Sequence, residues 1–162
     1  MEKMLKKVYE NKRLYKTLLA ISKIITLLTV LAYGLLLFGA AGISADSLLR
    51  VISLSALPFA AVSLIRRAVG AKRPYELYSF YENAPKKKGG ASFPSRHAFS
   101  VFLIATALLF IYPAAGVILL VLGAVLCVAR VLLGIHFIRD VISGAAVGVI
   151  SAILGVIIFA PF

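Results

Sequence analysis

The chain has 162 residues, 62% of them hydrophobic, and a mean hydropathy of +1.01. It carries 18 Lys and Arg against 6 Asp and Glu, which gives a formal charge of +12. The long apolar runs exclude a soluble nucleic-acid binder, so the positive charge indicates the anionic lipids of a bilayer or a phosphorylated substrate as partners.

Residues 1–16 are basic, with apolar side chains between the charges. Met4, Leu5 and Val8 recur at helical spacing, which predicts an amphipathic helix at the membrane interface. A solvated basic tail is the alternative. The cations of this segment are Lys3, Lys6, Lys7, Lys12, Arg13 and Lys16. By the positive-inside rule they predict a cytoplasmic N-terminus.

Five largely apolar segments follow, most of them near the length of about 20 residues that a spanning helix needs. They are residues 24–42, 48–65, 98–112, 114–133 and 141–160. Together they predict an all-α fold, a polytopic membrane helix bundle of about five transmembrane helices that forms a single domain over residues 1–162. The first segment is too long for a signal peptide, and we interpret it as a retained anchor. The third reaches spanning length only if Ser95, Arg96 and His97 form its first turn.

The connection 66–97 is long, basic and rich in Pro and Gly, and loops of that length in a compact protein are usually functional. With five crossings, the N-terminus, this loop and the connection 130–140 share one face of the membrane. Both histidines of the chain, His97 and His136, lie on that face. Ionisable groups at membrane depth are costly and indicate function. We therefore expect the chemistry of the protein in residues 66–140, on the cytoplasmic face. The alternative is that the basic N-terminus binds an anionic surface of the outer leaflet, which would place the same residues on the outer face.

Asp140 follows His136 by four residues, a spacing that brings a carboxylate beside an imidazole. Such a carboxylate would keep one ring nitrogen protonated and leave the other free to attack. A second interpretation makes Asp140 the N-cap of the fifth helix, and both can hold. Ser95 and nearby backbone N–H groups begin the third helix, where unpaired donors and the helix dipole favour an anion.

Three short clusters carry these residues. They read Arg66-x6-Arg73-Pro74, Pro94-Ser95-Arg96-His97 and Ala129-Arg130-x5-His136-x3-Asp140. Their order resembles the signature of the type 2 phosphatidic acid phosphatase superfamily, which is Lys-x6-Arg-Pro, Pro-Ser-Gly-His and Ser-Arg-x5-His-x3-Asp. Three positions differ from it: Arg66 replaces lysine and keeps the charge, Arg96 replaces glycine and adds a side chain, and Ala129 replaces serine and removes a hydroxyl. None of the three removes a reacting group.

The resemblance implies a site in which His136 is the nucleophile and forms a phosphohistidine. It implies that Asp140 orients His136, and that His97 is the general acid and then the general base. It also implies that cationic side chains hold the phosphate and that no metal or other cofactor is needed. The predicted phosphate-binding residues are Arg66, Arg73, Ser95, Arg96 and Arg130.

The predicted function is a membrane lipid phosphatase that acts on a polyprenyl (di)phosphate or a phosphatidate-type lipid. The alternative is a small membrane protein that binds anionic lipids without chemistry. That alternative accounts for the charge and the helices, but not for two histidines and an aspartate on one face. The size and the membrane content disfavour a vanadate-dependent haloperoxidase with the same motif.

Gly144, Gly148 and Ala152 form a stripe of small residues in the last apolar segment, spaced by four. Small residues at this spacing let a neighbouring helix approach closely. The stripe predicts tight packing within the bundle, and a dimer interface is the other interpretation.

Overall fold

The computed structural model describes residues 1–78, Phe80 and 91–159. The rest of the predicted loop, including Glu82, Pro85, Gly89 and Gly90, lies outside the described residues. Within the described ranges the chain forms seven α-helices and no strand, which confirms the predicted all-α class. The helices are α1 (Glu2–Glu10), α2 (Lys12–Ile43), α3 (Ala45–Val69), α4 (Pro74–Leu77), α5 (Arg96–Ile111), α6 (Pro113–Leu132) and α7 (Ile138–Phe159).

Four helical stretches of the described chain are long and apolar enough to cross a membrane. They begin at Lys12, Ala45, Pro113 and Ile138. Side chains on their outer faces are exposed although they are apolar, such as Leu35 at 72% and Phe38 at 80%. An apolar exterior of this kind is suited to lipid, and the predicted multi-pass membrane bundle is confirmed.

The third predicted membrane helix, α5, is the short one. It has 16 residues, so it is about 24 Å long against a hydrocarbon core of about 30 Å. Ser95 stands just before it as the N-cap and is not part of its first turn. α5 is also the helix with the most buried side chains, and it packs between α6 and α7. Its surroundings are therefore protein more than lipid.

The glycine stripe of α7 faces α5. A Cβ atom at Gly144 would collide with the backbone oxygen of Ser95, and one at Gly148 would collide with that of Phe99. Ala152 is fully buried in the main core. The prediction that this stripe packs within the bundle is confirmed. The close contact holds the start of α5 against the start of α7.

The N-terminal segment forms two helices where the sequence predicts one over residues 1–16. Asn11 separates them, because its side-chain oxygen accepts a hydrogen bond from Leu14 N at 3.0 Å and caps α2. Lys12, Arg13 and Lys16 therefore belong to α2. α1 is amphipathic as predicted, with Leu5 fully buried and its lysines exposed.

Candidate active site

Backbone hydrogen bonds tie the second cluster to the other two. Ser92 N donates to Ala71 O at 2.9 Å, which joins the chain before α5 to the chain after α3. Ser95 N donates to Asp140 O at 2.8 Å, which joins the start of α5 to the start of α7. The segments that were separate in sequence therefore meet at one end of the bundle.

A tight turn after α6 places His136. Gly134 has a φ of +68°, in the left-handed region that glycine adopts without strain. The chain reverses there, and the carbonyl of Arg130 accepts from Ile135 N at 3.1 Å and from His136 N at 3.3 Å. Tyr75 N donates to Gly134 O at 3.1 Å, which attaches the first cluster to this turn. The spacing of six residues from Arg130 to His136 is thus the length of a turn that is closed by the hydrogen bond between His136 N and Arg130 O.

The start of α5 brings His97 to the same place. Ser95 caps the helix with its hydroxyl, which accepts from a first-turn N–H at the long distance of 3.5 Å. The first backbone N–H groups of α5 have no partner within the helix and point to its N-terminal end. His97 is within electrostatic range of His136 and Arg130. The two imidazoles therefore lie in one site.

A buried network surrounds His136. Asp140 and Ser92 are both fully buried, and His136 is 2% exposed. The Nδ1 atom of His136 lies 3.6 Å from Asp140 Oδ2, longer than a hydrogen bond. The hydroxyl of Ser92 lies between them, donating to Asp140 Oδ2 at 2.5 Å and standing 3.3 Å from His136 Nδ1. The carboxylate thus lies beside the imidazole and is linked to it through a serine.

Asp140 also organises the start of α7. It is the third residue of that helix, and its Oδ2 accepts from Phe137 N at 3.0 Å. A side chain at this position that reaches back to the residue before the helix is half of a capping box. The N-cap interpretation was therefore wrong by three residues, while the dual use of Asp140 in helix and site agrees with the contacts.

These contacts set the protonation of His136. Burial lowers the pKa of His136 below its ordinary value of 6.5, and the carboxylate of Asp140 opposes this in part. The ring is therefore neutral near pH 7. Because Nδ1 faces the carboxylate and the serine, the proton belongs on Nδ1 and the lone pair on Nε2.

Ser92 is the site residue that the sequence analysis missed. It stands two residues before Pro94, just outside the cluster that was recognised. Two features of the sequence point to Ser92. The His136–Asp140 pair has no third partner in the sequence motif, and Ser92 places a hydroxyl group next to the cluster that contains Ser95 and His97.

We expect Ser92→Ala to lower kcat by about 10- to 100-fold with little change in KM, because a hydrogen bond to a charged group is worth about 1.5–3 kcal/mol. Ser63→Ala is the control, since the buried hydroxyl of Ser63 has no hydrogen-bond partner in the described chain. Steady-state kinetics on both variants makes the comparison. Equal rates for Ser92→Ala and the parent protein would show that the serine does not support His136.

Two arginines present unsatisfied donors. The Nε atoms of Arg73 and Arg130 are buried and have no hydrogen-bond partner among the described residues. The two guanidinium groups are also within electrostatic range of each other. Buried donors are usually paired, and neighbouring like charges repel. An anion bound between them would remove both costs.

Arg66 has a different environment. It is 5% exposed, and it donates to the carbonyl oxygen of Ser92 at 3.2 Å and to those of Ala91 and Pro94. Both of its Nη atoms therefore hold the loop that leads into α5. Phosphate binding by Arg66 stays a prediction, and positioning of Ser92 is the role that its contacts support.

Arg96 and Ala129 are the other two departures from the signature. The guanidinium of Arg96 lies 5.7 Å from the centre of the Phe59 ring on α3, and the side chain is exposed. Ala129 is 2% exposed and adds only a methyl group to the packing of α6. Phosphate binding by Ser95 and Arg96 likewise stays a prediction.

The chain is similar in sequence to two curated proteins. The chain is 33% identical over 102 residues to a lipid A 1-phosphatase of Rhizobium johnstonii, covering 60% of this chain and 42% of that protein. It is 31% identical over 102 residues to a lipid A 1-phosphatase of Rhizobium etli, covering 60% of this chain and 44% of that protein. The alignment thus spans less than half the length of these relatives.

The fold also resembles a solved structure. The transmembrane PAP2-type phosphatidylglycerolphosphate phosphatase of Bacillus subtilis superposes with a TM-score of 0.68 at 20% identity, covering 95% of this chain and 81% of that one. A sequence profile of the PAP2 superfamily matches residues 47–161. This match includes all three clusters and well over half of the chain, which therefore belongs to the PAP2 superfamily.

Proposed function

We propose that this protein is a membrane lipid phosphatase that works through a covalent phosphohistidine. One observation carries the proposal: a neutral, carboxylate-supported histidine stands beside two buried arginine donors that have no partner in the described chain. Membership in a family of phosphatases supports the same conclusion. Binding of anionic lipids alone would not require the His136–Asp140–Ser92 network.

In the first step, Nε2 of His136 attacks the phosphorus atom of the substrate. The P–N bond forms as the bond from phosphorus to the lipid oxygen breaks. His97, which is protonated in the complex because the negatively charged phosphate lies beside it, gives its proton to that oxygen, so the lipid leaves as an alcohol, or as a lipid monophosphate from a diphosphate. Arg73, Arg130 and the N–H groups at the start of α5 stabilise the charge on the transferred phosphoryl group.

In the second step, water attacks the phosphohistidine. His97 takes a proton from the water, the P–O bond forms, and the P–N bond to His136 breaks. Inorganic phosphate leaves and His136 is neutral again. Asp140 and Ser92 keep the Nδ1 proton in place throughout, so the same nitrogen attacks in every cycle.

The substrate has its phosphate at the level of the polar site and its hydrocarbon in the surrounding lipid. A polyprenyl (di)phosphate or a phosphatidate-type lipid has this form. The matched relatives are named for lipid A 1-phosphate and phosphatidylglycerolphosphate, which are also lipid phosphates. We favour polyprenyl substrates because the described chain forms little beyond the bundle that would recognise a large headgroup.

A panel of lipid phosphates tests this function. Purified protein in detergent is incubated with polyprenyl phosphate, polyprenyl diphosphate, phosphatidate and lipid A, and free phosphate is measured with EDTA present. We expect release from at least one lipid at an undiminished rate in EDTA. Release from none of them, or release only when a metal is added, would contradict the proposal.

We also propose that α1 and the active site face the cytoplasm. Tyr9 of α1 contacts Phe80 of the connection after α4, with ring centres 6.2 Å apart, so the basic helix and the site lie at the same end of the bundle. A Lys3→Cys protein with Cys127→Ala should react with a membrane-impermeant thiol reagent in inside-out vesicles only. Reaction in right-side-out vesicles alone would place both in the opposite compartment.

A further inference from the structure

A cavity of about 490 Å³ opens beside the site, between α2, α3, α5 and α6. Arg96 and His97 line one part of it, and its lining continues along α5 as far as Ile104. That distance is about 12 Å along the helix axis. A volume of this order is typical of cavities that hold small ligands.

The two threonine hydroxyl groups on the α2 wall of the cavity are engaged within their own helix. Thr26 Oγ1 donates to Ser22 O at 2.8 Å, and Thr29 Oγ1 donates to Ile25 O at 2.8 Å. Their hydrogen atoms are therefore not available to a ligand. These positions offer the cavity mainly hydrocarbon surface.

Farther from the site, a hydrogen bond between α2 and α3 forms part of the cavity wall. Tyr33 OH lies 2.7 Å from Ser55 Oγ, and Ser55 Oγ donates to Val51 O at 2.9 Å, so the tyrosine is the donor to the serine. α3 runs towards the site, so Ser55 lies about 6 Å farther from it than Phe59, one helical turn away. This pair joins α2 to α3 at the end of the cavity remote from Arg96.

The cavity therefore has a charged end and an apolar length. At the charged end, Arg96 lies over the ring of Phe59, and both residues line the cavity. A molecule that fits has an anion at one end and a hydrocarbon chain at the other. A free phosphate would leave the apolar length empty, and an uncharged alkane would leave the charge of Arg96 without an anion.

We propose that this cavity binds the first part of the hydrocarbon chain of the substrate, with the Tyr33–Ser55 pair at its far end. The inference rests on the proposed lipid phosphatase function and adds a recognition element to it. The phosphate lies at His97 and His136, and the adjoining methylene groups lie along α5. Selection among lipids then depends on the shape of the chain as well as on the headgroup.

The test is the affinity for non-hydrolysable alkyl phosphonates of increasing chain length. Ala56 lines the cavity, and Ala56→Phe fills part of it. Ala60, one turn along the same helix, is exposed and does not line the cavity, so Ala60→Phe is the matched control. Each affinity is expressed as a ratio to that of the parent protein for the same compound, because partitioning of the compound into detergent is then the same for both proteins and cancels.

For Ala56→Phe we expect the same affinity as the parent for a two-carbon phosphonate and a loss that grows with chain length to tenfold or more. One buried methylene group corresponds to about a fourfold change in affinity. Ala56→Leu should give an intermediate loss, and Ala60→Phe none at any length. Unchanged affinities for Ala56→Phe, or the same loss at every length, would overturn the inference. Length-dependent binding without phosphate release from any lipid would instead contradict only the proposed catalysis.

Discussion

Replacing His136 by alanine is expected to lower the rate of phosphate release by about 10⁴-fold or more, because the variant lacks the atom that attacks phosphorus. The side chain is buried beside Asp140 and Ser92, so the variant also leaves the carboxylate without the imidazole N–H beside it. Initial rates with the best lipid of the panel measure the loss. A His136→Ala protein that retains more than a tenth of the activity would exclude His136 as the nucleophile.

His97→Ala is the informative comparison. If His97 protonates the leaving oxygen, a substrate whose leaving group is stable as an anion should recover much of the lost rate of the first step in that variant. The same substrate should not rescue His136→Ala, since the missing nucleophile is needed whatever the leaving group. Equal rescue of both variants, or of neither, would contradict the assignment of separate roles.

The second large effect is expected from Gly144→Ala. The added methyl group would meet the backbone oxygen of Ser95, and it would lie 3.2 Å from Cβ of Ala98. A backbone atom cannot rotate away, so the start of α5 must move and carry His97 with it. Overpacking of this kind costs about 1–3 kcal/mol of stability. We expect a lower thermal midpoint in detergent and a loss of activity larger than the loss of stability explains.

Gly39→Ala is the matched control for that prediction. It is also a helical glycine in a membrane helix, and a Cβ atom there has nothing within 4 Å. Because alanine favours the helix over glycine by about 1 kcal/mol, this variant should be as stable as the parent or more stable. Parent-like stability and activity in both variants would show that α5 and α7 are not held together through Gly144.

The membrane bundle could be predicted from the sequence because lipid imposes a simple rule. A spanning segment must satisfy its own backbone, so each helix is a long apolar run that can be recognised alone. The residues at which the helices begin and end were harder to predict. α2 begins at Lys12, well before the apolar run at residue 24, because Asn11 caps it and long basic side chains can extend towards water.

The grouping of histidine, arginine and aspartate at one end of the bundle could be predicted for a related reason. Histidine, arginine and aspartate are costly next to hydrocarbon, so their positions at helix ends stood out. Ser92 did not stand out, because a serine near a turn is common and its contacts with Asp140 depend on the path of the loop. The hydrogen bonds of Arg66 to the loop carbonyl groups could not be predicted either. The spacing of residues along a sequence does not determine the direction in which a long side chain extends.

The most direct measurement of the central claim is to trap the phosphorylated enzyme. The His97→Ala protein is incubated with a phosphorus-labelled phosphate ester of a lipid whose leaving group is stable as an anion, so that the first step does not need His97. The protein is then quenched in alkali, digested and sequenced by mass spectrometry. The mechanism predicts one phosphoryl group on His136, stable in base, lost in acid and absent from a His136→Ala, His97→Ala protein. Label that is stable in acid or located on a serine, or turnover of the lipid without any label on His136, would contradict it.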